Sequence, residues 1–230
     1  MIFIHGAGGD HRVWVYQAEY FRKEYGIYSL DLPGHGFSKG TGSVTIEEYA
    51  HFVKQFLTVL GLKQSILVGH SMGGAIVQTV ALDPIPHLKG IILVGTGAKL
   101  RVSPLFLEKF KNINEESASL FCKYSFAENV QPELLDKAIE MIMNTPATIF
   151  YNDFVACDNF DVLNEVNRIS LPALIIGAAQ DQMTPLKYSQ YLQQQICNSQ
   201  FAIIENAGHM MMMENPSQFN QVIEAWLKAI

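Results

Sequence analysis

The sequence has few cysteines, and none is arranged to bind a metal or to build a disulfide framework. Its 230 residues contain only three, Cys122, Cys157 and Cys197, which lie far apart and include no C-x-x-C pair. An odd number of scattered cysteines is typical of buried, reduced thiols and argues against a disulfide-rich secreted scaffold or a zinc site. We therefore expect a cytoplasmic protein without a structural metal.

Long apolar runs and clusters of basic residues are also absent. The longest apolar runs, over residues 90–95 and 173–177, have the length of strands and are far too short to span a bilayer. No cluster of five or more Lys or Arg residues occurs and the net charge is −6, so we expect no nucleic-acid partner. Residues 1–5 lack the basic stretch that opens a secretory signal, so none is predicted.

What is present is the composition of a compact globular protein, with 49% hydrophobic and 17% charged residues. Short apolar runs alternate with amphipathic segments, which predicts strands over residues 2–5, 27–31, 65–69 and 90–95 and helices over residues 14–23, 45–60 and 71–82. In the second helix, Thr45 and Glu48 predict a capping box and Gly61 predicts the end. This alternation predicts an α/β fold with a mostly parallel, doubly wound sheet.

The strand pattern is missing between residues 98 and 159. Four helical segments are predicted there, and three of them begin at a proline, which suits the first position of a helix. Strands return at residues 173–177 and 201–205, followed by helices at 185–196 and 216–230. We therefore predict a core formed by residues 1–97 and 160–230, with residues 98–159 inserted as a helical cap, or lid.

The segment G-H-S-M-G-G over residues 69–74 carries the strongest chemical signal. It contains G-x-S-x-G at the point where a predicted strand meets a predicted helix. Glycines on both sides of the serine remove the Cβ atoms that would clash in a sharp turn. This placement predicts Ser71 as a nucleophile, and the amide of Met72 as an oxyanion donor at the start of a helix.

A serine hydroxyl needs an adjacent base, and the base needs an orienting carboxylate. Of the seven histidines, His209 follows a late strand and precedes the last helix, whereas His35 and His70 sit in glycine-flanked turns that favour structural roles. Asp181 lies in the loop after the strand at 173–177, at the sheet edge where such sites collect, whereas Asp153 falls in the predicted insertion. His209 is therefore predicted as the base and Asp181 as its partner.

The glycine-rich turn H-G-A-G-G over residues 5–9 follows the first predicted strand. It has neither a G-x-G-x-x-G pattern nor a Walker lysine, so phosphate binding is not favoured. We expect the amide of Ala7 to converge with that of Met72 on a developing oxyanion.

These segments together resemble the α/β-hydrolase superfamily over nearly the whole chain. H-G-A-G at 5–8, D-L-P-G-H-G-F-S at 31–38, G-H-S-M-G-G at 69–74, G-x-x-x-D-x-x-x-P at 177–185 and G-H at 208–209 follow the family order. Small serine esterases and haloperoxidase-like members with a cap are the most similar. The resemblance implies a Ser71–Asp181–His209 triad and no metal or organic cofactor. Family members carry two further strands before the His-Gly strand, so we expect a shorter sheet at this edge or a truncated N-terminus.

The predicted function is hydrolysis of a carboxylic ester, or a related acyl bond, of a small and largely apolar substrate through an acyl-enzyme. Candidate pocket residues, which would equally serve to pack the cap on the core, are Trp14, Phe106, Phe110, Phe121, Tyr124, Met141, Phe150, Phe154 and Met210. Acyl transfer, carbon–carbon bond hydrolysis and lyase chemistry on the same triad are alternatives, as is a ligand-binding protein without turnover. Dehalogenase and epoxide-hydrolase chemistry is disfavoured because those relatives carry aspartate where Ser71 stands.

Overall fold

A six-stranded parallel sheet forms the centre of the molecule in the computed structural model, which describes residues 1–230. The strands stand in the order β2-β1-β3-β4-β5-β6, and every neighbouring pair is parallel. Their bounds are β1 Ile2–Ile4, β2 Tyr28–Leu30, β3 Ser65–His70, β4 Leu88–Val94, β5 Ala173–Ala178 and β6 Ser199–Ile204. The α/β fold with a parallel sheet predicted from the sequence is confirmed.

Ten α-helices accompany the sheet. Their bounds are α1 Val15–Phe21, α2 Ile46–Leu60, α3 Met72–Leu82, α4 Pro104–Lys109, α5 Glu115–Ser125, α6 Pro132–Asn144, α7 Ala147–Asn159, α8 Lys187–Gln195, α9 Met211–Glu214 and α10 Pro216–Leu227. The segment predicted as one helix over residues 14–23 opens with a 3-10 turn, His11–Trp14, and continues as α1.

Successive residues of each strand point to opposite faces of the sheet, so that two hydrophobic cores form. Ile91 and Leu93 of β4 face the core that α2, α3 and α8 cover. Ile92 and Val94 face the other core, which α1, α10 and much of the 98–159 segment cover. All four side chains are fully buried, which explains why the strands are continuous apolar runs.

The segment between β4 and β5 contributes no strand to the sheet and contains α4 to α7. The chain leaves and re-enters the core side by side, because the amide of Leu100 donates to the carbonyl of Phe160 and the amide of Val162 donates to that of Ala98. A cluster of phenylalanines from α4, α5 and α7 joins these helices, as in the contact of Phe121 with Phe150, whose ring centroids are 5.3 Å apart. We call residues 98–159 the insertion.

Two local predictions are corrected by the structure. The Thr45 side chain makes no capping bond, and Glu48 instead accepts a hydrogen bond from the hydroxyl of Ser43. The capping box fails because Ser43, two residues earlier, reaches the carboxylate. Gly61 ends α2 in the left-handed conformation, as predicted.

Cys122 and Cys157 are buried free thiols, but Cys197, just after α8, is exposed. No helix is both long and apolar enough to cross a bilayer.

The close approach of β3 to α3 makes a stability prediction for Gly69. A Cβ atom on Gly69 would lie 2.2 Å from the carbonyl oxygen of Gly73, so Gly69→Ala forces backbone apart. We expect urea denaturation to show a loss of about 3 kcal/mol, at the upper end for overpacking. Gly26→Ala is the control, since its Cβ would come no closer than 3.9 Å to Tyr28. Equal stabilities of the two variants would contradict the prediction.

Candidate active site

Ser71 occupies the sharp turn between β3 and α3 and holds a strained backbone. Its φ of 54° and ψ of −115° lie in a region that residues with a Cβ rarely adopt. Neighbouring backbone fixes this conformation: the Ser71 amide donates to the carbonyl of Val94 (2.9 Å), and the hydroxyl of Thr96 donates to the carbonyl of Ser71 (2.8 Å). The turn thereby presents the serine at the carboxyl edge of the sheet, as G-x-S-x-G predicts.

His209 and Asp181 form a buried pair at the same edge. Nδ1 of His209, in the loop between β6 and α9, lies 2.8 Å from Oδ2 of Asp181, in the loop after β5. The amides of Met183 and Thr184 both donate to Oδ1 of Asp181, at 2.9 and 2.8 Å. Because the carboxylate holds Nδ1, the other ring nitrogen of His209 is left for a reacting group.

Ser71 and His209 both line one cavity at this edge of the sheet. The hydroxyl of Ser71 makes no hydrogen bond to His209 in this structure. The imidazole of His209 bonds only to Asp181 and Thr184. Catalytic hydrogen bonds are often long before substrate binds and tighten in the complex. The structure thus brings Asp181 and His209 into contact and places Ser71 on the same cavity as His209.

The glycine-rich loop after β1 presents a free amide to this cavity. The carbonyl of Gly6 accepts hydrogen bonds from Nδ1 of His5 (2.8 Å) and from the amide of Gly9 (3.1 Å). In a trans peptide the N–H points opposite to the C=O, so these bonds aim the amide of Ala7 away from the protein backbone. That amide makes no hydrogen bond within the chain, and Ala7 lines the cavity. Met72 begins α3, so its amide has no acceptor within its own helix.

The cavity is mostly apolar and is enclosed by core loops on one side and by the insertion on the other. Five of the predicted pocket residues line it: Phe121, Met141, Phe150, Phe154 and Met210. The other four do not. Trp14 packs in the core against Phe3 and Phe219, and Phe106, Phe110 and Tyr124 pack within the insertion. Apolar side chains at helical spacing indicate only that one face of a helix is buried. These four residues, which pack in the interior, therefore fit the same pattern as residues that line a cavity.

Two side chains support the histidine–aspartate pair: Thr184, which was not singled out from the sequence, and His70, for which a structural role was expected. The hydroxyl of Thr184 donates to Oδ2 of Asp181 (2.9 Å) and lies 3.2 Å from Nδ1 of His209. Nε2 of His70 lies 3.0 Å from the carbonyl oxygen of His209, so that nitrogen carries a proton and donates to this oxygen. Burial, with His209 nearby, keeps the pKa of His70 well below its usual value. His70 therefore holds the backbone of residue 209.

One cluster has the spacing of a metal site. Ligand atoms of Asp10, His11 and Asp31 lie within 4.8 Å of one another. They already have partners: Arg12 pairs with Asp10 (2.6 Å), and Asp31 accepts from the ring and the amide of His11. None of the three lines the cavity. The cluster thus serves to fix the loops after β1 and β2.

Fold and site together define an α/β protein in which a serine in a strained turn, a histidine–aspartate pair and a free loop amide gather at the carboxyl edge of a parallel sheet. This edge is where ligand sites of open α/β sheets form. The grouping supplies a hydroxyl, a base with its partner and amide donors, which is the equipment of acyl-group chemistry.

The comparisons agree with this class. The sequence matches the alpha/beta hydrolase fold family over residues 1–216. It is 27% identical to 3-oxoadipate enol-lactonase 2 of Acinetobacter baylyi, over 99% of this chain and 88% of that protein. A solved thermophilic esterase is 33% identical with a TM-score of 0.88, covering 99% of this chain and 89% of that one. A malate-bound esterase of Thermogutta terrifontis is 27% identical, with a TM-score of 0.87 and the same coverage.

The chain therefore belongs to the alpha/beta hydrolase fold family. Its similarity to esterases and a lactonase over nearly the whole length supports the hydrolysis of an ester or a related acyl bond.

The buried, neutral state of His5 makes a pH prediction. His5 donates from Nδ1 to Gly6 and accepts at Nε2 from the amide of Leu32 (3.2 Å), and burial, with His35 nearby, lowers its pKa to about 4. Between about pH 4 and the ordinary value of 6.5 the unfolded chain binds more protons, so this stabilising contribution is present above pH 6.5 and lost as the pH falls. We expect His5→Asn to lose less unfolding free energy than the wild type between about pH 7 and about pH 5 in urea titrations. An equal loss in both proteins would contradict the prediction.

Proposed function

We propose that the protein is a serine hydrolase that cleaves a carboxylic ester through an acyl-enzyme on Ser71. The observation that carries the proposal is the strained Ser71 turn on the same cavity as the buried His209–Asp181 pair. A non-glycine residue is held at positive φ only where the surroundings over-determine it, and such strain collects at functional sites. The similarity to esterases and a lactonase supports the same chemistry.

The proposed cycle uses five groups of the chain. Nε2 of His209 takes the Ser71 proton as the serine oxygen attacks the carbonyl carbon of the ester. The amides of Ala7 and Met72 stabilise the oxyanion that forms, and the negative Asp181 stabilises the imidazolium. His209 then protonates the leaving alcohol, and the alcohol departs. Water, activated by His209, attacks the acyl group and releases the acid with Ser71 restored.

The substrate we propose is small and largely apolar on its acyl side. Phe121, Met141, Phe150 and Phe154 supply apolar walls from the insertion, which would act as a cap that selects substrates. Water exclusion by such walls strengthens the electrostatic stabilisation of the oxyanion. A cyclic ester is cleaved by the same steps, and the similarity to an enol-lactonase makes lactones the first cyclic esters to assay.

The proposal predicts that Ser71→Ala lowers kcat for nitrophenyl esters by on the order of 10⁵–10⁶, by analogy with other triads. The same substitution should abolish labelling by a fluorophosphonate probe, since the probe reacts with the serine that the base activates. Ser217→Ala, which alters an exposed serine of α10, is the control and should label as the wild type does.

A residual rate within tenfold of the wild type would refute Ser71 as the nucleophile. Absence of labelling in the wild-type protein would favour a ligand-binding protein that does not turn over.

The cavity walls predict a change of acyl preference when the pocket is filled. Met141 lines the cavity from α6, so Met141→Trp should lower kcat/KM for a hexanoyl ester much more than for an acetyl ester. Met143→Trp, two residues further on the same helix, alters an exposed side chain and should leave the ratio of the two values unchanged. If both variants keep the wild-type ratio, the acyl chain does not occupy this cavity.

A further inference from the structure

Helix α7 of the insertion carries a carboxylate into the interior of the protein. Asp153 is fully buried and accepts three hydrogen bonds, from the amide of Gly8 (2.8 Å), from Nε2 of His35 (2.7 Å) and from the hydroxyl of Tyr49 (2.6 Å). Gly8 lies in the loop after β1, His35 in the loop after β2, and Tyr49 on α2. One aspartate of the insertion thus joins three separate parts of the core.

The hydrogen-bond directions fix the charges of this group. The hydroxyl of Tyr49 accepts from the amide of Ser43 (2.9 Å) and so donates to Oδ1 of Asp153. Nδ1 of His35 faces the carbonyl oxygen of Pro33 (3.2 Å) and its Nε2 faces Oδ2 of Asp153, so both ring nitrogens meet acceptors and the ring is an imidazolium. Burial opposes this charge, but Asp153 outweighs it and raises the pKa of His35. All three partners donate to Asp153, which therefore acts only as an acceptor.

The contribution of this ion pair to folding is a weak explanation for its presence. Removing two charges from water costs about as much free energy as their attraction returns, and well-packed apolar residues often serve equally well. The bond from the amide of Gly8 to the carboxylate is more informative. Gly8 directly follows Ala7, so this bond acts on the loop that contains the Ala7 amide.

Every polar group of Gly8 is held from the insertion. Its amide donates to Asp153, and its carbonyl accepts from the hydroxyl of Thr145 (3.1 Å), which lies between α6 and α7. The φ of Gly8 is +65°, and the Phe150 ring comes within 2.1 Å of the position that a Cβ would take. The insertion therefore sets the backbone conformation at Gly8 through two hydrogen bonds and one aromatic wall.

We propose that Asp153 is a positioning residue for the reaction: by holding Gly8 it keeps the loop after β1 in the form that aims the amide of Ala7 at the oxyanion. The two oxyanion donors then depend on different parts of the chain. The core supplies the amide of Met72, and a side chain of the insertion orients the amide of Ala7. This inference rests on the proposed function, since it gives the loop a role in the same ester hydrolysis.

The test is steady-state hydrolysis of nitrophenyl acetate by Asp153→Ala, Asp153→Asn and the control Asn152→Ala. Asn152 also bonds from α7 to a core loop, at the carbonyl of Thr41 (3.3 Å), but not to the loop after β1. Loss of one oxyanion donor typically costs about 10²–10³ in kcat. We expect Asp153→Ala to lose about 10² in kcat with KM within about threefold of the wild type, and Asn152→Ala to stay within about twofold in both constants.

Asp153→Asn separates geometry from charge. The amide oxygen of asparagine can still accept from Gly8 and His35, so this variant should recover kcat to within about tenfold of the wild type. A trifluoromethyl ketone, which adds to Ser71 and places an oxyanion against the same donors, should bind Asp153→Ala more weakly by the factor lost in kcat/KM. Thr145→Val removes the second bond to Gly8 and should lower kcat in the same direction by a smaller factor, a readout that remains if Asp153→Ala does not fold.

A folded Asp153→Ala that keeps kcat within about twofold, or that loses activity only through KM, overturns the inference. So does an Asp153→Asn variant as inactive as Asp153→Ala, because charge and not loop geometry would then be responsible. Failure of the proposed function is distinguishable: it appears as wild-type activity that survives Ser71→Ala, whatever the Asp153 variants do.

Discussion

The left-handed backbone conformation of Ser71 is the constraint on which the rest of the site depends. A residue with a Cβ at φ 54° costs of order 1–3 kcal/mol, which the surroundings must offset. The bonds of Ser71 to Val94 and Thr96 do so, and the absence of a side chain at Gly69 lets α3 begin directly against β3. Because the turn is fixed from both sides, the serine and the first amide of α3 are presented at one edge of the sheet.

The insertion holds both loops that face Ser71. On one side Asp153 and Thr145 bond to Gly8 in the loop after β1. On the other side the amide of Met210, next to His209, donates to the carbonyl of Ser125 (3.0 Å) at the end of α5. The carboxylate of Glu214 also accepts from the amides of Ala127 and Gly208, joining the insertion to the histidine loop. A displacement of the insertion would therefore reach the loop of His209 and the loop of Ala7 together.

The sequence predicted the fold well because apolar strand runs and helical periodicity are local signals. The parallel sheet was predicted, as were the helices of the insertion, whose ends differ from the prediction by a few residues. The contact between Asp181 and His209 was also predicted, because parallel strands bring their carboxyl ends to one edge. The roles of Asp153 and Thr184 were not, since the partners of a buried polar group depend on the fold. Asp153 meets Gly8 across 145 positions of the chain. Trp14 and Phe106 fit the pocket pattern but pack elsewhere, because periodicity does not distinguish a cavity wall from a core.

The measurement that tests the central claim most directly is trapping of the acyl-enzyme. The protein is mixed with an activated ester of a bulky acyl group, quenched with acid during the first turnovers and analysed by peptide mass spectrometry. The account predicts the acyl group on the hydroxyl of Ser71, at a level that forms as fast as the first alcohol is released. Continued turnover with no adduct on Ser71, or an adduct confined to another nucleophile such as the exposed Cys197, would contradict it.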